Sequence, residues 1–140
     1  VYLLDTNVVS EFRRVKPHGA VVAWLRAVPE ADLFLSAVTI GELQADVEKT
    51  RRNDTARATE IEAWLEQVSS AYNVLPMDVH AFRCWAQLMD GKQNSLALDA
   101  MIAATAITHN FIVVTRNVRD FDYFSVATLN PFELASGDRR

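Results

Sequence analysis

The sequence predicts one α/β domain, a parallel sheet of four to five strands flanked by helices, and three observations predict it. Short apolar runs alternate with longer amphipathic segments along the chain, the order that builds βα units. Turn-forming Asp, Asn, Ser and Pro residues separate those runs. At 140 residues, half of them hydrophobic, the chain suits a single core. The domain is expected over residues 1–135, with Ser136–Arg140 a frayed tail.

Each element has a local reason. Tyr2–Leu4 reads as a short buried strand that ends at the turn-like Asp5-Thr6-Asn7. Val21–Val28 reads as a helix, with Val21, Trp24, Leu25 and Val28 at helical spacing and Pro29 as its stop. Leu33–Leu35 is a second strand. Thr39–Lys49 reads as a helix whose start, Thr39-Ile40-Gly41-Glu42, matches a capping box. Thr55–Ala71 is a longer amphipathic helix carrying Ile61, Trp64, Leu65 and Val68 on one face. Asn73–Leu75 is a third strand before Pro76, and Val79–Met89 a helix capped by Asp78. Asn94 and Ser95 can cap the next helix, which runs to about His109. Phe111–Val114 and Val126–Leu129 are the remaining strands, the second at an edge.

Composition narrows the function. The formal charge is −4 and the pI about 5.3, so the surface as a whole is not a nucleic-acid footprint. A phosphate-bearing partner would need a local basic patch or a metal. Arg13, Arg14 and Lys16, or Arg51, Arg52 and Arg57, offer such patches, or are simply solvated charges. Cys84 is the only cysteine, which excludes an intrachain disulfide and fits a reducing cytoplasm. The apolar start is cut short at Asp5, so it is not read as a signal peptide, and the apolar run near Ala100–Ile107 is too short to span a membrane. His18, His80 and His109 lack the spacing of a zinc motif.

Four acids deserve weighing against plain structural roles. Asp5 either caps the segment after it or faces the crevice beyond the first strand. Glu42 is explained by the capping box and by the positive end of a helix. Asp120 is explained as a solvated acid after a turn at Asn117. Asp99 is harder to explain away. It sits in Leu96-Ala97-Leu98-Asp99-Ala100-Met101-Ile102-Ala103-Ala104, a helix apolar nearly all round and therefore expected to be buried. No Lys or Arg lies three or four residues from it, and an unpaired buried charge is costly. All four fall just after a strand or in the opening turns of the next helix, hence on one edge of a parallel sheet. Carboxylates gathered there repel one another unless a cation joins them, and an all-oxygen set selects Mg²⁺ or Mn²⁺.

Four blocks carry a family resemblance: Leu3-Leu4-Asp5-Thr6-Asn7-Val8-Val9-Ser10-Glu11, Leu35-Ser36-Ala37-Val38-Thr39-Ile40-Gly41-Glu42-Leu43, Leu98-Asp99-Ala100-Met101-Ile102-Ala103-Ala104-Thr105-Ala106 and Val114-Thr115-Arg116-Asn117-Val118-Arg119-Asp120-Phe121. Together with Asn130-Pro131-Phe132-Glu133 they resemble PIN-domain proteins, and among these the VapC-type toxins of VapBC toxin–antitoxin pairs, including the FitB-like branch. The resemblance implies a PIN-like (Rossmann-like) fold and a Mg²⁺- or Mn²⁺-dependent endoribonuclease leaving 5′-phosphate and 3′-hydroxyl ends. It also implies a cytoplasmic homodimer and a VapB-type antitoxin that blocks the site, with DNA reached only through the antitoxin complex.

Carried over by motif, Asp5, Glu42 and Asp99 match the three central acids of the family, and either Asp120 or Asn117 fills the fourth position. The expected roles follow. Asp5 and Asp99 ligate metal directly, Glu42 ligates it through water or orients the nucleophile, and Asp120 completes the outer side. Thr115 and Asn117 would bond a phosphate or the metal's water shell, Arg116 the RNA backbone, and Thr6 and Asn7 would support Asp5. The competing expectation is a catalytically silent PIN-fold protein that works only by gripping an antitoxin or operator complex.

Overall fold

A computed structural model describes residues 1–134. Five parallel strands form one sheet in the order β3-β2-β1-β4-β5. They are β1 (Tyr2–Leu4), β2 (Leu33–Ser36), β3 (Asn73–Leu75), β4 (Ile112–Val114) and β5 (Thr128–Leu129). The helices are α1 (Thr6–Val9), α2 (Gly19–Ala27), α3 (Ala37–Arg51), α4 (Thr55–Ala71), α5 (Val79–Met89), α6 (Ala97–His109) and α7 (Val118–Phe121). The expected α/β class and its parallel sheet are borne out. The expected tail at 136–140 lies outside the described residues. No helix among the described residues is long and apolar enough to cross a membrane.

The sheet separates two cores because successive side chains of a strand point to opposite faces. Leu4 and Val114 join Val8, Val21, Trp24 and Leu65 on one face. Their neighbours Leu3 and Val113 join Ala103, Ala106, Phe121 and Phe124 on the other. Leu3, Leu4, Val113 and Val114 are fully buried, which explains why the central strands are continuous apolar runs rather than alternating ones.

The chain winds outward from β1 through β2 to β3, then returns to place β4 on the other side of β1. The order therefore reverses between β1 and β4, and ligand crevices form beyond the carboxyl ends of strands at such a reversal.

Several helix starts differ from the sequence expectation. The helix predicted to begin at Thr39 begins at Ala37, capped by Ser36, whose hydroxyl accepts from Val38 N at 3.0 Å. Thr39 and Glu42 thus lie inside the helix and form no capping box. Their side chains have a tertiary partner, described below, and that partner outcompetes the local bond. Asn94 and Ser95 do not cap α6. They form a short 3-10 turn, and α6 starts at Ala97 with no side-chain cap. Its start is held instead by Trp85, whose indole N–H donates to Ala97 O at 3.1 Å. Asp78 caps α5 as expected, accepting from Ala81 N at 2.9 Å. Nor is α6 buried all round. One face packs on the sheet while Leu98 and Ile107 stay 47% and 39% exposed.

Candidate active site

Asp5 is the residue that follows β1. Its backbone N–H still donates to Val114 O at 2.9 Å, extending the pairing with β4, and its carboxylate caps the short helix α1. The capping and functional readings therefore both apply. The carboxylate is almost completely buried and held from several sides. Thr6 N donates to Oδ1 at 2.8 Å, while Thr115 Oγ1 at 2.8 Å and Asn7 Nδ2 at 3.1 Å donate to Oδ2. Burial pushes its carboxyl pKa up, the three hydrogen bonds pull it back, and Asp120 pushes it up further.

Thr115, the first residue after β4, is a strut for Asp5. It is fully buried, its proton goes to Asp5, and its oxygen accepts from Asn117 N at 2.9 Å and Asn7 Nδ2 at 3.3 Å. That fills its hydrogen-bonding capacity, so in this structure Thr115 serves to hold Asp5 and the loop after β4. Asn7 is spent similarly, its Oδ1 accepting from Arg116 N at 3.1 Å. The loop after β4 is thereby stitched to the loop after β1 at the reversal of strand order.

Glu42 stands one helical turn beyond Thr39 on α3. Thr6 Oγ1 lies 3.0 Å from Glu42 Oε1 and 3.1 Å from Thr39 Oγ1. With one proton to give, Thr6 donates to the carboxylate and accepts from the fully buried Thr39. Glu42 is pushed up in pKa by burial, pulled back by Thr6, and pushed up again by Asp5 and Asp46.

Asp99, in the first turn of α6, is half-buried. Its pKa is raised to about 6, by burial first and then by Asp5, Asp120 and Glu42. Asp99 is thus within electrostatic reach of the other three predicted acids. Asp120 comes from α7, which Phe121, fully buried, anchors to the core. Asn117 is the N-cap residue of α7 with an exposed side chain that makes no cap bond. Arg116 lies with its guanidinium carbon 3.7 Å from the Phe132 ring centroid, which fixes it beside the Asn130–Glu133 segment.

Three participants escaped the sequence reading. Thr39 was assigned to a cap, yet its place one turn before Glu42 on the same helix face was the available signal. Asp46, four residues after Glu42, adds its charge to that carboxylate and could have been found by the same spacing. Phe132 gave no local signal for its stack with Arg116, because that contact is tertiary. Of the proposed basic patches, Arg51 is tied to Glu48 and Glu62 at 3.1 and 3.0 Å, Arg14 to Glu11 at 3.0 Å, and Arg13 lies 5.8 Å from the Trp64 ring.

The donor set suits a hard cation. Among the described residues no group of three or more His, Cys, Asp or Glu is set to hold a metal ion by itself. Mg²⁺ does not require such a cage, since it keeps much of its water and needs one or two carboxylates beside substrate phosphates. Asp99, half-buried and burdened by three neighbouring carboxylates, is the group that a cation would relieve most. The residues therefore fit Mg²⁺ or Mn²⁺ held through one or two carboxylates and water.

Known proteins support the resemblance carried by the motif blocks. The PIN domain family model matches residues 2–126. A VapC ribonuclease, Y4jK, of Sinorhizobium fredii is 36% identical over 95% of this chain and 99% of its own length. The toxin FitB of Neisseria gonorrhoeae is 36% identical over 93% of this chain and 97% of its own. The crystal structure of FitAcB from Neisseria gonorrhoeae matches with a TM-score of 0.84 and 35% identity, covering 96% of this chain and 100% of the other. With the fold, the motif blocks and these relatives in agreement, the chain belongs to the PIN domain family, in the group that includes the VapC ribonuclease Y4jK and FitB.

Proposed function

We propose that this protein is a Mg²⁺- or Mn²⁺-dependent endoribonuclease toxin that hydrolyses RNA phosphodiester bonds and is restrained by a VapB-type antitoxin in the cytoplasm. The observation that supports the reading is that Asp5 follows β1 and Asp120 lies in the helix after β4, on either side of the reversal of strand order, and that their charges, with that of Glu42, reach Asp99, pushed up to about 6 by burial and by these three. The ribonuclease and toxin names of its relatives point the same way.

A bound divalent ion would supply Lewis acidity and a water of lowered pKa. The chain's own residues define where that chemistry is available. Asp99 and Asp5 would hold the ion. Thr115, Thr6 and Asn7 fix the Asp5 carboxylate so that little reorganisation is needed when a phosphate arrives. Glu42, held by Thr6, would orient the attacking water or take its proton. Asp120 closes the far side on α7. Arg116 and Arg119 offer cationic contacts to the strand flanking the cut. Val79 and Phe82 on α5 are 71% and 47% exposed, and apolar exposure of this kind favours a protein partner, here a second copy or the antitoxin.

The test is incubation of the purified protein with structured RNAs in Mg²⁺ or Mn²⁺, with and without EDTA. Chelator-sensitive cutting that leaves 5′-phosphate ends is expected. Cutting that survives EDTA, or none in either metal, contradicts the proposal.

A further inference from the structure

Beside the acids, α3 and α6 part to leave a groove of about 540 Å³ that reaches Glu42. Val38 and Ala45 form one wall, and Leu98 and Met101 the other. Gly41 lies along it in the interior of α3, where glycine weakens a helix relative to alanine. A Cβ built on Gly41 would meet nothing within 4 Å. No neighbour inside the protein therefore requires glycine there, so a side chain added at this position would enter the groove without disturbing the fold. Lys49, two turns on, lines the same groove and has no salt bridge among the described residues.

We propose that this groove is a nucleoside subsite, seating the base next to the scissile phosphate and thereby setting the cleavage preference of the enzyme. The inference rests on the ribonuclease reading above. Glu42 belongs to both the acid cluster and the groove, so a strand held at the acids places its neighbouring nucleoside here. The walls are apolar and the rim carries Glu42, Asp46 and Lys49, matching a base with an apolar face and a polar edge whose amino groups the two carboxylates could accept from. The volume lies within the range of small-ligand sites. Lys49 complements a flanking phosphate, the charge that four clustered acids would otherwise repel. An apolar protein side chain would use the walls but leave the unpaired ammonium without a role.

The test compares Gly41→Ala, which leaves the groove open, with Gly41→Leu, which fills it. The primary readout is binding of a fluorescein-labelled, randomised single-stranded RNA 12-mer in Mg²⁺ by Asp99→Asn protein carrying either change, so that it does not depend on cleavage. The Ala variant should bind like its parent and the Leu variant at least about fivefold more weakly. Both should keep or raise the parent's Tm, since both replace a mid-helix glycine. In the cleavage-competent background, sequencing of products from a randomised RNA should show that Gly41→Leu flattens the base preference beside the cut. Unchanged RNA binding by the Leu variant overturns the subsite and leaves the groove to a protein occupant. Equal losses in both variants also overturn it, because they point to a change in helix α3 rather than an occupied groove. A cleavage-silent wild type whose RNA binding still drops in the Leu variant would overturn the nuclease reading and the cleavage-setting role with it, while keeping the groove as a site that holds RNA.

Discussion

Replacing Asp99 with Asn should make the metal-free protein more stable while removing its proposed chemistry. The substitution keeps shape and deletes one charge. In the folded protein the Asp99 carboxyl is raised from 3.8 to about 6, by burial and then by Asp5, Asp120 and Glu42. At about 1.36 kcal/mol per pKa unit that shift sets a ceiling of roughly 3 kcal/mol on the cost of ionising it. Asp99 is only half-buried, and solvent screening reduces the figure to roughly 1–2 kcal/mol.

The sign of the pH dependence follows from the raised pKa. Between about 4 and 6 the folded state binds the proton more tightly than the unfolded state, so wild-type stability falls as pH rises through that window. Above it the full penalty is present, and below it the penalty vanishes. Denaturant unfolding in EDTA at pH 7.5 should therefore show Asp99→Asn more stable than wild type by roughly 1–2 kcal/mol, a gap shrinking to a fraction of that near pH 4. A variant less stable at pH 7.5, or an advantage independent of pH, would refute the crowded-carboxylate argument.

Two further substitutions probe the support of the site. Thr115→Val keeps the buried shape but deprives Asp5 of a 2.8 Å donor and Asn117 N of its acceptor; thermal unfolding should register a loss of about 1–3 kcal/mol, with RNA cleavage falling as well, and a variant as stable as wild type would show the strut to be dispensable. Phe121→Ala empties a fully buried site beneath α7 and should cost about 3–5 kcal/mol in urea unfolding, while loosening Asp120 and weakening Mn²⁺ uptake.

What the sequence revealed, and what it hid, divides along the range of the interactions. Tyr2–Leu4, Asn73–Leu75, Thr55–Ala71 and Val79–Met89 were readable to the residue because local pattern and caps agree there. The strand expected over Val126–Leu129 is paired only at Thr128–Leu129, opposite Val113 and Val114, because which residues pair is set by the neighbouring strand and not by local composition. The start of α3 was misplaced because Thr39 and Glu42 have capping-box spacing but are claimed by Thr6, more than thirty positions away in the chain.

At the site, Asp5 directly after β1 and Asp120 in the helix after β4 signalled a shared edge, because a parallel sheet sends its strand ends to one side, whereas Glu42 and Asp99 lie inside helices and Asp99 follows another helix rather than a strand. The residues that hold the carboxylates gave no comparable signal. Thr115 and Asp5 are 110 positions apart, and only the pairing of β1 with β4 brings them together. The exposed face of α6 was hidden for a related reason: Leu98 and Met101 look like core residues by composition, and only the gap beside α3 leaves them lining a groove.

Calorimetric titration of Mn²⁺ into the wild type and Asp99→Asn at pH 5.5 and pH 7.5 tests the central claim most directly. The acid cluster should take up Mn²⁺ more tightly at the higher pH, with protons released from Asp99 at the lower one, and Asp99→Asn should lose most of that uptake. Equal uptake by the two proteins, or none by the wild type even with RNA supplied, would contradict the claim that these carboxylates meet to hold a metal ion.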